Sequence, residues 1–222
     1  MRKKILPVLL ATGMLLLQGC GGSSVTESTI EVTSKGAVIQ TTIGTLDQDY
    51  YDSDELKTYV SDEVDAYNDD EDASGTVKLK KYSYDDGTRQ VTMVLKFSDA
   101  GTYADFEQMT FFSGTVAEAK DAGFDFAVAL ISADEAPQAG DEDASGDASG
   151  DASGDASGDA SADASALPDL TGEENVIILQ ESYQIKVPGT ILYVTDGACS
   201  MVSEDTAAVD ATQADLVYVI YE

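Results

Sequence analysis

The chain has 222 residues, with 12 lysines and arginines against 42 aspartates and glutamates, no histidine and no tryptophan, for a formal net charge of −30 at pH 7. That charge repels nucleic acid and anionic lipid headgroups, which excludes nucleic-acid binding and favours cationic or basic partners. Without histidine there is no Ser-His or Cys-His nucleophile pair, no histidine-ligated zinc and no imidazole base.

The first residues read MRKK, followed by an uncharged, mostly apolar run from Ile5 to Leu17 and then Gln18, Gly19 and Cys20. A basic start, an apolar stretch and small residues in that order predict a secretion signal over residues 1–19. The apolar run is shorter than the roughly 20 residues a bilayer-crossing helix needs, so cleavage is expected rather than a lasting span.

The run LLLQGC, with Leu17 three places before the cysteine and Gly19 just before it, resembles the lipobox of bacterial lipoproteins. The resemblance implies cleavage between Gly19 and Cys20 by the lipoprotein signal peptidase and a diacylglyceryl thioether on Cys20. In some bacteria a third acyl chain, of the palmitate kind, follows on the new amino terminus. One acyl chain binds a membrane only marginally, at about 10⁴ per molar, whereas two hold firmly. The expectation is a protein tied to the extracytoplasmic face of the cell membrane through Cys20. Cys199 would then be the only thiol left, unable to form an internal disulfide, and its setting in DGACSM reads as a small buried residue in preference to a reactive one.

After a flexible tether over residues 20–28, residues 29–136 read as an α+β region. Ile30 and Val32, then Val38 and Ile43, flank Lys35-Gly36 as a hairpin. Leu56, Tyr59, Val60, Val64 and Tyr67 recur at three and four and predict a helix from Asp52, with Asp52 and Glu55 as a capping pair. A second hairpin sets Val77 and Leu79 against Val91, Met93, Leu95 and Phe97, turning at Asp86-Gly87. Tyr103 and Phe106, with Met109 beside them, suggest a short helix, and Thr115 to Glu118 has the spacing of a capping box before another, closed by Gly123. Phe124 to Ile131 reads as a buried strand.

Residues 137–168 are dominated by a four-residue unit, Asp-Ala-Ser-Gly and then Asp-Ala-Ser-Ala, six times in tandem from Asp143 to Ala166. Small, anionic and unable to bury a core, it predicts a disordered linker or loop spanning roughly 25 to 30 Å or more. Residues 169–222 carry apolar runs at Val176–Leu179, Tyr183–Val187, Ile191–Val194 and Leu216–Tyr221, broken by Pro188-Gly189 and Asp196-Gly197, which marks three or four strands. A segment that short buries too little surface to stand alone, so it is expected to pack on residues 29–136. The whole reads as α+β, mostly antiparallel strands and hairpins with two or three short-to-medium helices. From Thr29 to Phe126, and over YQIKVPGTILYV and LVYVIYE, the sequence is similar to uncharacterised exported lipoproteins of clostridia-like bacteria. That resemblance implies a shared domain and an extracellular location, and carries over no activity.

The chemistry left is that of carboxylates. No nucleophile elbow, P-loop or dinucleotide fingerprint follows a strand. A glycoside hydrolase needs two carboxylates about 5 to 9.5 Å apart, and 42 acids give no means of choosing them. For calcium, a hard cation that takes oxygen ligands, the candidates are Asp47, Asp49, Asp52 and Asp54, then Asp69, Asp70, Glu71 and Asp72, although neither run fits an EF-hand and both are explained as a helix start and a solvated loop. Tyr50, Tyr51, Tyr82 and Tyr84 suit a peptide- or glycan-contacting surface, and sheet packing accounts for them equally. These observations lead to a non-catalytic surface lipoprotein with an envelope or extracellular protein or glycan as partner. The alternatives are a small substrate-binding lipoprotein of an import system and a calcium-dependent adhesion module.

Overall fold

The computed structural model describes residues 27–48, 50–140 and 170–222. The signal, Gly19 and Cys20, most of the tether, Asp49 and the tandem repeat lie outside the described residues. The first hairpin forms as its alternation predicts: β1 (Thr29–Val32) pairs antiparallel with β2 (Val38–Thr45), and Gly36 in the turn takes a left-handed φ of 78° that only glycine adopts without cost. Helix α1 (Ser53–Asn68) starts where Asp52 accepts from the backbone N–H of Asp54 and Glu55, at 2.8 and 3.1 Å. Glu55 thus takes part through its backbone. Val60, Val64 and Tyr67 are buried, while Tyr59 is 40% exposed. One residue from Val60 is 100° around the helix, so Tyr59 falls off the packed stripe to which the spacing had assigned it.

β3 (Val77–Asp85) and β4 (Gln90–Phe97) form the second hairpin, with a bulge between Leu79 and Lys81. Its turn is held by Asp85, whose Oδ1 accepts from the N–H of Gly87 and Thr88, and the left-handed residue is Arg89, not Gly87. α2 (Ala100–Glu107) is followed by β5 (Phe111–Thr115), and the expected capping box between Thr115 and Glu118 opens α3 (Val116–Asp121). The expected strand from Phe124 to Ile131 is wrong for most of its length, since only β6 (Leu130–Ser132) is extended and paired. Asp125 explains the difference: its side chain accepts from Ala127 N–H and its carbonyl from the Tyr218 hydroxyl, bonds that compete with a ladder.

The last segment holds six strands, not three or four: β7 (Asn175–Leu179), β8 (Gln184–Lys186), β9 (Ile191–Thr195), β10 (Cys199–Ser203), β11 (Thr206–Val209) and β12 (Val217–Tyr221). They are shared between two sheets. The seven-stranded sheet runs β10-β11-β8-β1-β2-β4-β3, with β1 and β8 parallel, and the five-stranded sheet runs β5-β7-β12-β9-β6 with every pair antiparallel. Each sheet therefore mixes strands from before and after the repeat. Among the described residues the result is an α+β fold with mostly antiparallel strands and three helices.

Alternation along the strands divides the core in two. Ile177, Leu179, Val217, Val219 and Tyr221 join Ile30, Val38, Leu95, Phe97 and Ile185 in the main core, together with Val60, Val64 and Tyr67 of α1. The opposite face of the five-stranded sheet, with Val176, Ile178, Tyr218 and Ile220, is covered by Val116 and Ala119 of α3 and by Phe126. Tyr103 of α2 sits at the junction, its ring 5.0 Å from Phe97 in one sheet and 4.6 Å from Phe111 in the other.

The strand β12 is buried along its whole length, and its end is anchored by reciprocal backbone bonds between Thr190 and Glu222, both 3.1 Å. A Cβ added at Gly189 would stand 1.7 Å from the Glu222 carbonyl oxygen. Gly189→Ala is therefore expected to destabilise the protein by about 1–3 kcal/mol through overpacking against backbone. Gly87→Ala, whose added carbon meets only Asp85 Oδ1 at 3.3 Å, should change it by under about 1 kcal/mol, as paired urea melts would read.

Candidate functional site

The inner face of the seven-stranded sheet is apolar except at β2, where Gln40 is buried at 4% exposure. Around it the fold gathers a polar cluster. Tyr103 and Glu107 stand four apart on α2 and so share one helix face. Glu181 and Tyr183 lie two apart in the segment that carries the chain from β7 in one sheet to β8 in the other. The Tyr103 hydroxyl donates to Glu181 Oε2 at 2.8 Å, and the Gln40 amide donates to the Tyr183 hydroxyl at 3.2 Å and, at 3.5 Å, to that of Tyr103. The cluster thus ties together α2, strand β2 and the crossing between the sheets.

Burial pushes the Glu107 carboxyl up to about 7, and the neighbouring Glu181 carboxylate pushes the same way, against a hydrogen bond from Gln40. Glu181 is also raised by burial, with the Tyr103 hydroxyl opposing. Burial and then the two carboxylates lift Tyr183 to about 12, and Tyr103 rises for the same reasons. A part-buried acid pair of this kind favours holding one proton between two carboxyls near neutrality, as like charges in a poorly solvated site resist joint ionisation. Such a proton is suited to acid catalysis only where a substrate reaches it. The two described surface depressions lie elsewhere: one among Glu31, Lys186, Pro188, Glu204 and Asp205, the other among Ser61, Asp65, Asn68, Lys78 and Lys80.

The acids singled out for calcium are spread along the surface. Asp52 spends its Oδ1 on capping α1, Asp69 is the C-cap of the same helix, and Asp70 accepts from Asp72 N–H. The helix between the two runs has 16 residues, about 24 Å of rise, so the runs cannot share an ion. The Asp47 carbonyl accepts from Arg89, and Asp49 lies outside the described residues. Among the described residues no group of three or more acidic or cysteine side chains is placed to hold a metal. Tyr50 and Tyr51 are exposed at 76% and 48% with their rings edge to face, whereas Tyr82 and Tyr84 share the packed side of β3, opposite Met93 and Val91, and the Tyr82 hydroxyl bonds the Ser53 carbonyl at 2.6 Å. Cys199 is buried in β10, and burial pushes its thiol to about 12.

The remaining surface with a defined character is the outer face of the seven-stranded sheet. Strand register arranges it in cross-strand rows: Lys186, Glu31, Ile39, Lys96 and Lys78 in one, Gln184, Thr29, Thr41, Val94 and Lys81 in the next, and Ile43, Thr92 and Ser83 in a third. The lysines are exposed and the rest half-buried, so the face is open, and its Glu31 and Lys186 also line the first depression. Sequence reasoning did not find this face, which depends on register across strands far apart in the chain, nor the Glu107–Glu181 pair. The four-residue spacing of Tyr103 and Glu107 was the one available signal for the pair.

Compared with protein-family models, curated proteins and solved structures, the chain has no match.

Two outcomes follow from the buried groups. The folded chain holds the Glu107 proton more tightly than an unfolded carboxyl near 4.5 does, so stability should fall as pH rises from about 4.5 to about 7 and level off above. Asp85, held low by the N–H groups of Thr88 and Gly87, acts in the opposite sense, and only below that window. Urea melts at pH 5 and pH 8 should differ by roughly 2–3 kcal/mol, with Glu107→Gln removing most of the difference; equal melts in the parent protein contradict the burial argument. Cys199 should resist a thiol reagent in the native state at pH 8 and react fully once unfolded in guanidinium.

Proposed function

We propose that this chain is a lipid-anchored extracytoplasmic binding module without catalytic activity, held to the membrane through Cys20, that engages an envelope or extracellular partner through the outer face of its seven-stranded sheet. The anchor rests on the sequence LLLQGC and the charged and apolar residues before it. The observation that carries the binding role is the open sheet face: seven strands bury one side in the core and leave half-buried Ile39, Thr41, Ile43, Thr92 and Val94 on the other. A contiguous surface of partly apolar residues on a strongly charged chain is suited to contact with a partner. The acid pair is read as an internal joint, since Glu181 in the β7–β8 connection accepts from Tyr103 of α2, and Gln40 of β2 donates to Tyr183 in the same connection.

Two measurements test this reading. Cys20→Ser should move the protein from the membrane pellet to the soluble fraction of the exported material. In crosslinked pull-downs from cell envelopes, Thr41→Glu with Thr92→Glu should lose the captured partner while Glu107→Gln retains it. Retention by the face variant, or substrate turnover that Glu107→Gln or Glu181→Gln abolishes, would overturn the proposal.

A further inference from the structure

The nine basic residues outside the first four positions are scarce in a chain with 42 acids, and their distribution is uneven. Three of them, Lys78, Lys81 and Lys96, stand at one end of the outer sheet face. Lys78 and Lys96 are directly opposite each other on neighbouring strands, and Lys81 faces Val94 in the adjacent row. Like charges placed directly opposite in an antiparallel pair destabilise it. Around them the register positions on β2, β3 and β4 are Ile39, Thr41, Ile43, Thr92, Val94 and Ser83, with carboxylates only at the margins: Glu31 two strands away in the row of Lys96, Asp85 further along β3, and Asp65 across the depression that Lys78 lines. In so acidic a chain, three lysines in adjacent rows are a local excess of positive charge.

A structural explanation accounts for part of this. Lysines on an edge strand discourage edge-to-edge pairing, and β3 is an edge strand with a bulge at the lysines. That explanation does not reach Lys96, because β4 is an interior strand between β2 and β3. An interior-strand lysine set against another lysine on a solvent face leaves two neighbouring positive charges that an anion can bridge.

We propose, building on the binding role assigned to this face above, that Lys78, Lys81 and Lys96 form a binding site for an anionic polysaccharide. The lysines supply the charge contacts, and Thr41, Thr92 and Ser83 beside them supply hydroxyls to pair with those of sugars. An open face of about three strands, spaced about 4.8 Å apart, matches an extended chain better than a compact ligand. Single-stranded nucleic acid would need aromatic platforms for its bases, and these rows have none. An acidic peptide adding to the sheet would have to pair with the edge of β3, where the bulge interrupts the ladder. The acidic remainder of the protein acts at longer range and is screened over about 8 Å at physiological ionic strength, so the local charge governs contact.

The test uses the detergent-solubilised, lipidated full chain and four immobilised probes: the anionic polymers dextran sulfate and polygalacturonate, which carry sulfate and carboxylate, neutral dextran, and the polypeptide polyglutamate as a comparator. The protein should bind both anionic polymers, more weakly as salt rises, and not the neutral one. The triple variant Lys78→Gln, Lys81→Gln, Lys96→Gln should lose at least tenfold in affinity, while Lys35→Gln with Lys57→Gln, in the first hairpin turn and on α1, should lose none. The triple variant should also keep the circular dichroism spectrum of the parent; a lost fold would mark the lysines as structural and contradict the site. Binding unchanged in the triple variant, equal binding to neutral dextran, or binding to polyglutamate alone each overturns the proposal, the last by assigning the face to an acidic polypeptide. If the anionic polymers fail but the Thr41→Glu, Thr92→Glu variant still loses its envelope partner, the polysaccharide assignment falls and the binding role of the face stands.

Discussion

The fold turns on how its covering surface is allocated. Strand β12 is buried at every residue because the five-stranded sheet it centres is covered on both sides, by the seven-stranded sheet on one and by α3 with Phe126 on the other. Helix α1 packs its Val60, Val64 and Tyr67 stripe into the same inner core, beside Val77 of β3. Among the described residues nothing covers the outer side of the seven-stranded sheet. A sheet buried on both faces reads as continuous apolar sequence, as in VIIL and VYVIY, whereas the half-covered sheet alternates apolar with polar residues.

The junction between the sheets is where polarity enters the core. Tyr103 reaches both sheets with its ring and the Glu181 carboxylate with its hydroxyl, and Glu107 shares the site. Two carboxyls with tyrosine and glutamine for company would be costly to ionise together, so the cluster is at ease while it retains a proton. The cluster sits where the chain crosses from β7 to β8 and bonds that connection to α2 and β2. Burial, which raises Glu107, also raises the Cys199 thiol and so disfavours its reactive thiolate.

Much of the fold was legible because it is local. Both hairpins, α1 with its Asp52 cap, and the capping box at Thr115 follow from spacings within a few residues. What was not legible depends on distant pairing. β5 has Ser113 and Gly114 in five residues, and β11, TAAV, has two alanines in four, so each is a weak and short strand signal that is completed by a partner, β7 for the first and β8 for the second. The extended reading of Phe124 to Ile131 failed because Asp125 ties its own neighbourhood by side-chain bonds that periodicity does not report. At the level of the site, acids in excess hid Glu107 and Glu181, and the outer lysines became a patch only once register set Lys78 against Lys96. The aspartates at the ends of α1 were, by contrast, visible and are accounted for as caps and turns.

The central proposal is that the outer face of the seven-stranded sheet is the contact surface of a protein displayed outside the membrane. Lysine footprinting with a membrane-impermeant reagent on intact cells, compared with the purified protein, tests it most directly. The account predicts that Lys78, Lys81 and Lys96 are protected on cells relative to the isolated chain, while Lys57 on α1 and Lys120 on α3 react equally in both settings. Equal reactivity of the three outer-face lysines on cells and in isolation, or protection confined to Lys57 and Lys120, would contradict it.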